Sequence, residues 1–108
     1  AKEEVFIIVE DQPKFEGGLD AFYKFVSDNL EYPKQAKFSG IEGKVFLQFI
    51  VEKDGSLGDI QVIKGIGGGC DEEAVRVVKA SPKWQAGKQR GRPVKVKMSL
   101  PIFFKLVK

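Results

Sequence analysis

The chain has 108 residues, 43% of them apolar, which suits one domain that buries a modest core without disulfide or metal staples. It has no histidine and one cysteine. This composition removes the commonest general base, the Ser/His and Cys/His nucleophile pairs, most metal sites and any internal disulfide. No run approaches the about 18 apolar residues of a membrane span. We therefore expect no enzyme, no cofactor and no metal.

The net charge of +3 is unevenly distributed along the chain. Residues 1–31 hold three lysines and eight acids, whereas residues 32–108 hold fifteen lysines or arginines and seven acids. Residues 79–108 contain nine cations and no acid. Two interpretations stay open for this basic surface: lysines that guard a sheet edge against aggregation, or a surface that binds an acidic partner.

The first 40 residues predict one short strand and two helices. The β-branched run at residues 5–9 is typical of a strand. Apolar residues between Leu19 and Leu30 then recur at helical spacing. This helix should end before Pro33, because the residue preceding a proline is disfavoured in the helical region. Pro33 can itself open a second, short helix that ends near Gly40.

The middle of the chain predicts a hairpin followed by a helix. Residues 44–52 alternate, with one face formed by Val45, Leu47, Phe49 and Val51. The turn at residues 53–55 contains the Asp-Gly pair of a hairpin, so residues 57–64 should return as the second strand. After a glycine-rich loop, residues 71–80 predict a helix whose early acids and late Arg76 and Lys79 suit the helix dipole.

The last predicted element is the longest. Every even position from Val94 to Leu106 is apolar, which predicts a strand with one face on the core. Pro101 cannot donate to a sheet ladder, so this strand should lie at an edge or carry a bulge. Residues 84–93 are interpreted as a connection into it. The predicted fold is α+β: a three-stranded antiparallel sheet with helices packed on one face, and residues 5–9 as a candidate extra strand.

Several residues that suggest chemistry have simpler interpretations. Acids at positions 71–73 suit the first turn of a helix, and Cys70 beside them, without a basic partner, is interpreted as a packed side chain. The GIGGGC loop lacks the final Gly or Ala of a dinucleotide site and the Lys-Ser/Thr of a P-loop. Trp84 and Tyr32 are interpreted as anchors under the sheet.

The terminal strand itself is the remaining candidate site. An unpaired edge either is blunted and binds nothing or accepts an extended peptide, with backbone hydrogen bonds giving the affinity. A nucleic-acid platform is less favoured and no nucleic-acid partner is expected, because such platforms expose several aromatic rings. The exposed side of this strand offers only Phe103.

The chain from Tyr32 to Leu106 resembles the C-terminal domain of TonB. The motifs that carry the resemblance, in family order, are YPKQ, GIEG, the Asp-Gly hairpin, PKWQAGK and a closing strand ending LPIFFKL. Cys70 departs from the family pattern, where a larger aliphatic residue is common, and Ala86 stands where proline is frequent. PKFEGG and its helix resemble an N-terminal extension of one family branch. The length indicates a single domain, residues 1–108, which the resemblance divides into an extension at 1–31 and a core at 32–108.

This resemblance implies a periplasmic coupling domain, anchored in the cytoplasmic membrane by a segment upstream of this chain. Such domains transmit energy from a proton-driven inner-membrane motor to outer-membrane receptors for nutrient uptake. They bind a receptor segment, the TonB box, as an added β-strand. By position, the binding residues would be Arg92, Val94, Lys95, Val96, Lys97, Met98, Ser99 and Leu100, together with Tyr32, Pro33 and Gln35.

Three further questions stay open from the sequence. A similar domain attached to a membrane-bound sensor or peptidase would bind a different peptide or none. A basic nucleic-acid module would lose affinity steeply with salt, unlike strand addition. Finally, an open edge allows self-pairing, so a homodimer is a candidate state.

Overall fold

Five strands and three helices follow one another along residues 4–106, the part of the chain that the computed structural model describes. In chain order they are β1 (Val5–Phe6), α1 (Gly18–Asn29), α2 (Lys34–Ser39), β2 (Gly43–Val51), β3 (Leu57–Lys64), α3 (Cys70–Lys79), β4 (Gly87–Gln89) and β5 (Arg92–Phe104). None of the helices in these residues is both long enough and apolar enough to cross a bilayer.

The strands form a mixed sheet in the order β1-β5-β2-β3, with β4 paired to the start of β5. The predicted antiparallel core is present, because β2 pairs antiparallel with both β3 and β5. The β2–β5 register runs without a shift from Gly43↔Phe104 to Val51↔Val96. Two short strands complete the sheet: β1 pairs parallel with β5, and β4 pairs antiparallel with it.

One face of this sheet is covered by the helices. The predicted core face of β2 is fully buried, and β5 contributes Val96, Ile102 and Phe104 from its even positions. Helix α1 adds Phe22 and Val26, and α3 adds Ala74, Val77 and Val78. The α+β fold with helices on one face is therefore confirmed.

Trp84 holds the hairpin between β2 and β3 against this core. Its side chain is 4% exposed, and its ring lies 5.6 Å from Phe15, 5.2 Å from Phe22 and 5.6 Å from Phe49, measured between centroids. Its backbone N–H donates to the carbonyl of Gly55 at 2.8 Å. The predicted role of Trp84 as an anchor is confirmed.

Three predictions about the elements were wrong. The N-terminal strand ends at Phe6 rather than Val9, because the chain turns away and pairs with β4 through Asp11↔Lys88. The predicted connection at residues 84–93 contains β4, whose register was not visible in its Gly- and Lys-rich sequence. Leu19, predicted on the apolar face of α1, is 52% exposed, since the buried side of that helix begins at Phe22.

Candidate functional site at the edge of strand β5

Strand β5 is paired with β2 along one edge, and its other edge is partly unpaired. β2 occupies the first edge from Val96 to Phe104. On the opposite edge, β1 pairs only with Lys95 and Val96. Within residues 4–106, no strand pairs with that second edge beyond Val96. The edge predicted from the sequence is therefore present, but it begins only at Lys97.

The orientation of the open backbone groups follows from Pro101. Its carbonyl accepts a hydrogen bond of 2.9 Å from the Tyr23 hydroxyl of α1. Pro101 has no N–H, so neither of its backbone groups is committed to β2. In an antiparallel strand the N–H and C=O of one residue point to the same edge, and successive residues alternate. Because the register is unbroken, Lys97 and Ser99 share the orientation of Pro101 and turn their N–H and C=O groups away from β2. The parallel pair Phe6↔Val96 engages the Lys97 N–H, because in a parallel ladder a residue bonds to the two neighbours of its partner. Within residues 4–106, the groups of this stretch that stay open are therefore the Lys97 carbonyl and the N–H and C=O of Ser99.

The remaining residues predicted on this strand are already engaged. Arg92 and Val94 pair with Gln89 and Gly87 of β4. Lys95 and Val96 face Val5 and Phe6 of β1. Met98 and Leu100 lie in the ladder with β2 and pack, half-buried, against the core. The structure thus narrows the open part of the predicted strand to Lys97 and Ser99.

The second predicted segment lies farther along β5. The Tyr32 ring meets the Phe104 ring edge to face, with centroids 5.5 Å apart, and its hydroxyl donates to the Ile41 carbonyl. Burial is the main cause that raises the pKa of Tyr32. Pro33 packs beside Gly69, and Gln35 lies exposed on α2. Tyr32 therefore lies at the C-terminal end of β5, and Pro33 lies beside the loop before α3.

A cleft that the sequence did not predict opens at that end of β5. It has a volume of about 480 Å³ and is lined by Tyr23, Val26, Ser27, Leu30, Tyr32, Phe103 and Lys105. Its α1 wall continues the helical spacing through Val26 to Leu30, a stripe that the sequence shows. The sequence does not show which part of that stripe the sheet leaves uncovered.

Lysine side chains dominate the electrostatics around β5. Lys95 lies 3.5 Å from the Glu52 carboxylate, and Lys44 lies 5.6 Å from the centroid of the Phe103 ring. Lys97 is half-buried and Lys105 is exposed. The strand itself contains no acidic residue. Positively charged side chains therefore surround the open edge.

The loop before α3 offers no anion site. The Asp71 carboxylate accepts hydrogen bonds from the Ile66 and Gly67 amides at 2.9 and 3.3 Å, so it occupies the groups that a phosphate would need. Cys70 is fully buried. Burial raises the pKa of its thiol, and the negative charges of Asp71 and Glu72 raise it further. The interpretation of Cys70 as a packed side chain is confirmed.

The comparison with protein families identifies this arrangement. The family described as Gram-negative bacterial TonB protein C-terminal matches residues 28–106. The chain belongs to the TonB C-terminal domain family. This confirms the resemblance drawn from the sequence motifs.

Individual relatives agree with the family. Protein TonB of Pseudomonas aeruginosa is 31% identical over 77 residues, which cover 71% of this chain and 22% of that protein. Protein TonB of Helicobacter pylori (strain J99) is 46% identical over 39 residues, which cover 36% of this chain and 14% of that protein. The chain thus matches under a quarter of the length of either relative.

Solved structures of the Helicobacter pylori TonB C-terminal domain have a similar fold. The NMR structure of its residues 179–285 superposes with a TM-score of 0.61 at 27% identity, covering 83% of this chain and 81% of that one. The NMR structure of its residues 194–285 gives a TM-score of 0.63 at 28% identity, covering 81% and 91%. The α+β architecture is therefore that of the TonB C-terminal domain.

Proposed function

We propose that this chain is a periplasmic coupling domain that binds the TonB box of an outer-membrane receptor by adding it to β5. The observation that carries the proposal is the unpaired edge at Lys97 and Ser99 in a member of the TonB C-terminal domain family. An edge of this kind accepts an extended peptide through its main chain. The domain is anchored in the cytoplasmic membrane by an upstream segment, and it relays energy from a proton-driven motor for nutrient uptake.

The function proposed is mechanical rather than enzymatic. Each backbone hydrogen bond contributes roughly 0.5–1.5 kcal/mol net, so the two open residues by themselves support only weak binding. A peptide that also displaced β1 would gain the groups of Lys95. When a pulling force acts along the added strand, these hydrogen bonds share the load. A short contact can therefore transmit the force.

β1 supports the idea that this edge accepts an added strand. It is two residues long, pairs parallel with Lys95 and Val96, and leaves its Val5 side chain 39% exposed. Its pairing therefore depends mainly on backbone bonds, as the binding of a peptide would. A receptor segment placed next to it, or in its place, would make the same kind of contact.

Ser99→Pro tests the edge directly. The substitution removes one open N–H, and Pro101 shows that β5 accommodates proline at a position of the same orientation. We expect TonB-box peptides to shift the amide NMR signals of Lys97 and Ser99 in the wild-type domain. We expect Ser99→Pro to weaken that binding at least about tenfold, since a main-chain bond and its geometry are both lost.

Ser99→Ala is the matched control, because it removes the hydroxyl and keeps the N–H. It should retain binding, and both variants should keep the wild-type signals of α1 and α3. Equal peptide affinity for Ser99→Pro and the wild type would overturn the proposal. A steep loss of affinity with salt would instead indicate charge-driven binding of the nucleic-acid kind.

A further inference from the structure

The cleft between α1 and the end of β5 has the form of a side-chain pocket. Its volume of about 480 Å³ falls within the roughly 300–1,000 Å³ of ligand pockets. α1 forms one wall with Tyr23, Val26 and Leu30, and Phe103 of β5 faces them. Phe103 is 48% exposed, although it is among the largest apolar side chains of the strand.

Both aromatic walls are held in place by polar contacts. The Tyr23 ring lies 5.6 Å from Phe103 and 5.2 Å from Phe22, and its hydroxyl is bonded to the Pro101 carbonyl. Tyr32 is fixed by its bond to the Ile41 carbonyl and by the Phe104 ring. The cleft is therefore formed before anything enters it.

The charge of the cleft is positive. Among residues 4–106, Lys105 is the one charged side chain in the lining, and no acid of this part of the chain lines the cleft. Two acids in the neighbouring elements have other partners. Asp28 pairs with Lys24 at 3.2 Å, and Glu42 accepts the Leu106 N–H at 2.6 Å. An apolar group followed or preceded by a carboxylate complements this lining.

The cleft lies a short distance along β5 from the open edge. Tyr23 belongs to the lining and also bonds to Pro101, two residues beyond Ser99. At about 3.4 Å per residue, Ser99 and Phe103 are separated by roughly 14 Å along the strand. A peptide paired with Lys97 and Ser99 thus reaches the cleft within about four further residues.

We propose that this cleft anchors a large apolar side chain, with a neighbouring carboxylate at Lys105, from the same peptide that adds to β5. The inference rests on the proposed function and adds the feature that makes peptide binding selective. Main-chain bonds at Lys97 and Ser99 are nearly independent of sequence, whereas the cleft discriminates by side chain. It therefore determines which receptor segments bind well.

Designed peptides test the cleft without altering the protein. Each peptide carries an extended segment and, about four residues from its centre on either side, Phe-Glu, Ala-Glu or Phe-Lys. We expect Phe-Glu to bind at least about tenfold more tightly than Ala-Glu, because the ring loses its contact with water. Phe-Lys should bind more weakly than Phe-Glu, and Lys105→Glu should reverse that order.

Two tryptophan variants on α1 provide a matched pair. Ser27→Trp fills the cleft, whereas Asp20→Trp places the same side chain on an exposed position outside its lining. Ser27→Trp should abolish the preference for Phe over Ala, and Asp20→Trp should preserve it. Because the peptide comparison uses the wild-type domain, a folding defect in either variant leaves the proposal testable.

The outcomes separate this inference from the proposed function. Shifts at Lys97 and Ser99 with all three peptides, but equal affinities, would overturn the cleft and leave strand addition standing. No shift at these residues with any peptide would overturn both. Self-association that Ser27→Trp removes, without any preference for Phe, would assign the cleft to a second copy and overturn the inference.

Discussion

At the scale of single residues, Gly55 leaves no room for a side chain between the hairpin and Trp84. Its φ is +87°, and a Cβ built there would lie 1.9 Å from the Trp84 carbonyl oxygen. Any side chain at this position therefore meets both a left-handed backbone and a collision with the backbone of Trp84, whose N–H donates to the Gly55 carbonyl.

Gly55→Ala should accordingly destabilise the domain, and Gly91→Ala is its control. Gly91 has a φ of +74° but open space around it, so alanine there meets only the backbone term, about 1–2 kcal/mol. Gly55→Ala adds overpacking and should cost roughly 2–5 kcal/mol. Urea denaturation measures both. Equal losses in the free energy of unfolding would contradict this prediction, because the Trp84 backbone would then move away from the new Cβ without an energetic penalty.

At the scale of elements, one ionic cluster joins α3 to the end of α1. Arg76 donates to the Glu73 carboxylate at 2.6 Å and to the Asn29 carbonyl at 2.9 Å. Glu73 also accepts the Glu31 N–H at 2.6 Å. The bonds from Arg76 are the largest cause that lowers the pKa of Glu73, and the Glu31 amide lowers it further.

This cluster predicts an acid-dependent part of the stability. The pKa of Glu73 is lower in the folded state than its ordinary 4.5, so its stabilisation is present above pH 4.5 and is lost as pH falls through the folded value. Glu73→Gln should cost roughly 1–3 kcal/mol at neutral pH and less in acid. Denaturation at pH 7 and pH 3 measures the difference.

Asp28→Asn is the control for Glu73→Gln. Asp28 forms an exposed pair with Lys24 in α1, and such pairs contribute at most about 1 kcal/mol. We expect its effect to be small at both pH values. If Glu73→Gln lowered the free energy of unfolding by the same amount at pH 7 and pH 3, the result would contradict the link between the lowered pKa of Glu73 and stability.

At the scale of the whole molecule, β1 limits how much of β5 is available. Deleting residues 1–8 removes β1 and the exposed Ile7 and Ile8, while Phe15 stays in the core. Peptide affinity should rise several-fold, because the edge at Lys95 is released. Sedimentation at several concentrations should also show more self-pairing, since a longer open edge is exposed.

Ile7→Ser combined with Ile8→Ser provides the comparison for this deletion. It removes the exposed apolar surface and keeps β1, so it should leave both affinity and self-association unchanged. A deletion that does not alter peptide affinity would mean that β1 and the peptide do not compete. Binding would then be confined to Lys97 and Ser99.

Much of this fold was predictable from its sequence. The alternation of side chains along β2 predicted the four that are fully buried in the structure. The Asp-Gly turn predicted the β2–β3 hairpin. The long apolar alternation after Arg92 predicted β5, and the ordered motifs from Tyr32 onward indicated the family. These features are local, because hydrophobic period and turn chemistry are both written in neighbouring residues.

Only the tertiary structure decided which backbone groups of β5 are open. Every residue except proline carries the same N–H and C=O, so no sequence pattern shows which strand will lie across an edge. The pairing of Val5 with Lys95 and the Tyr23–Pro101 bond join residues 90 and 78 positions apart. The sequence thus determined the faces of the sheet, and the packing of distant segments determined its free edge and the cleft beside it.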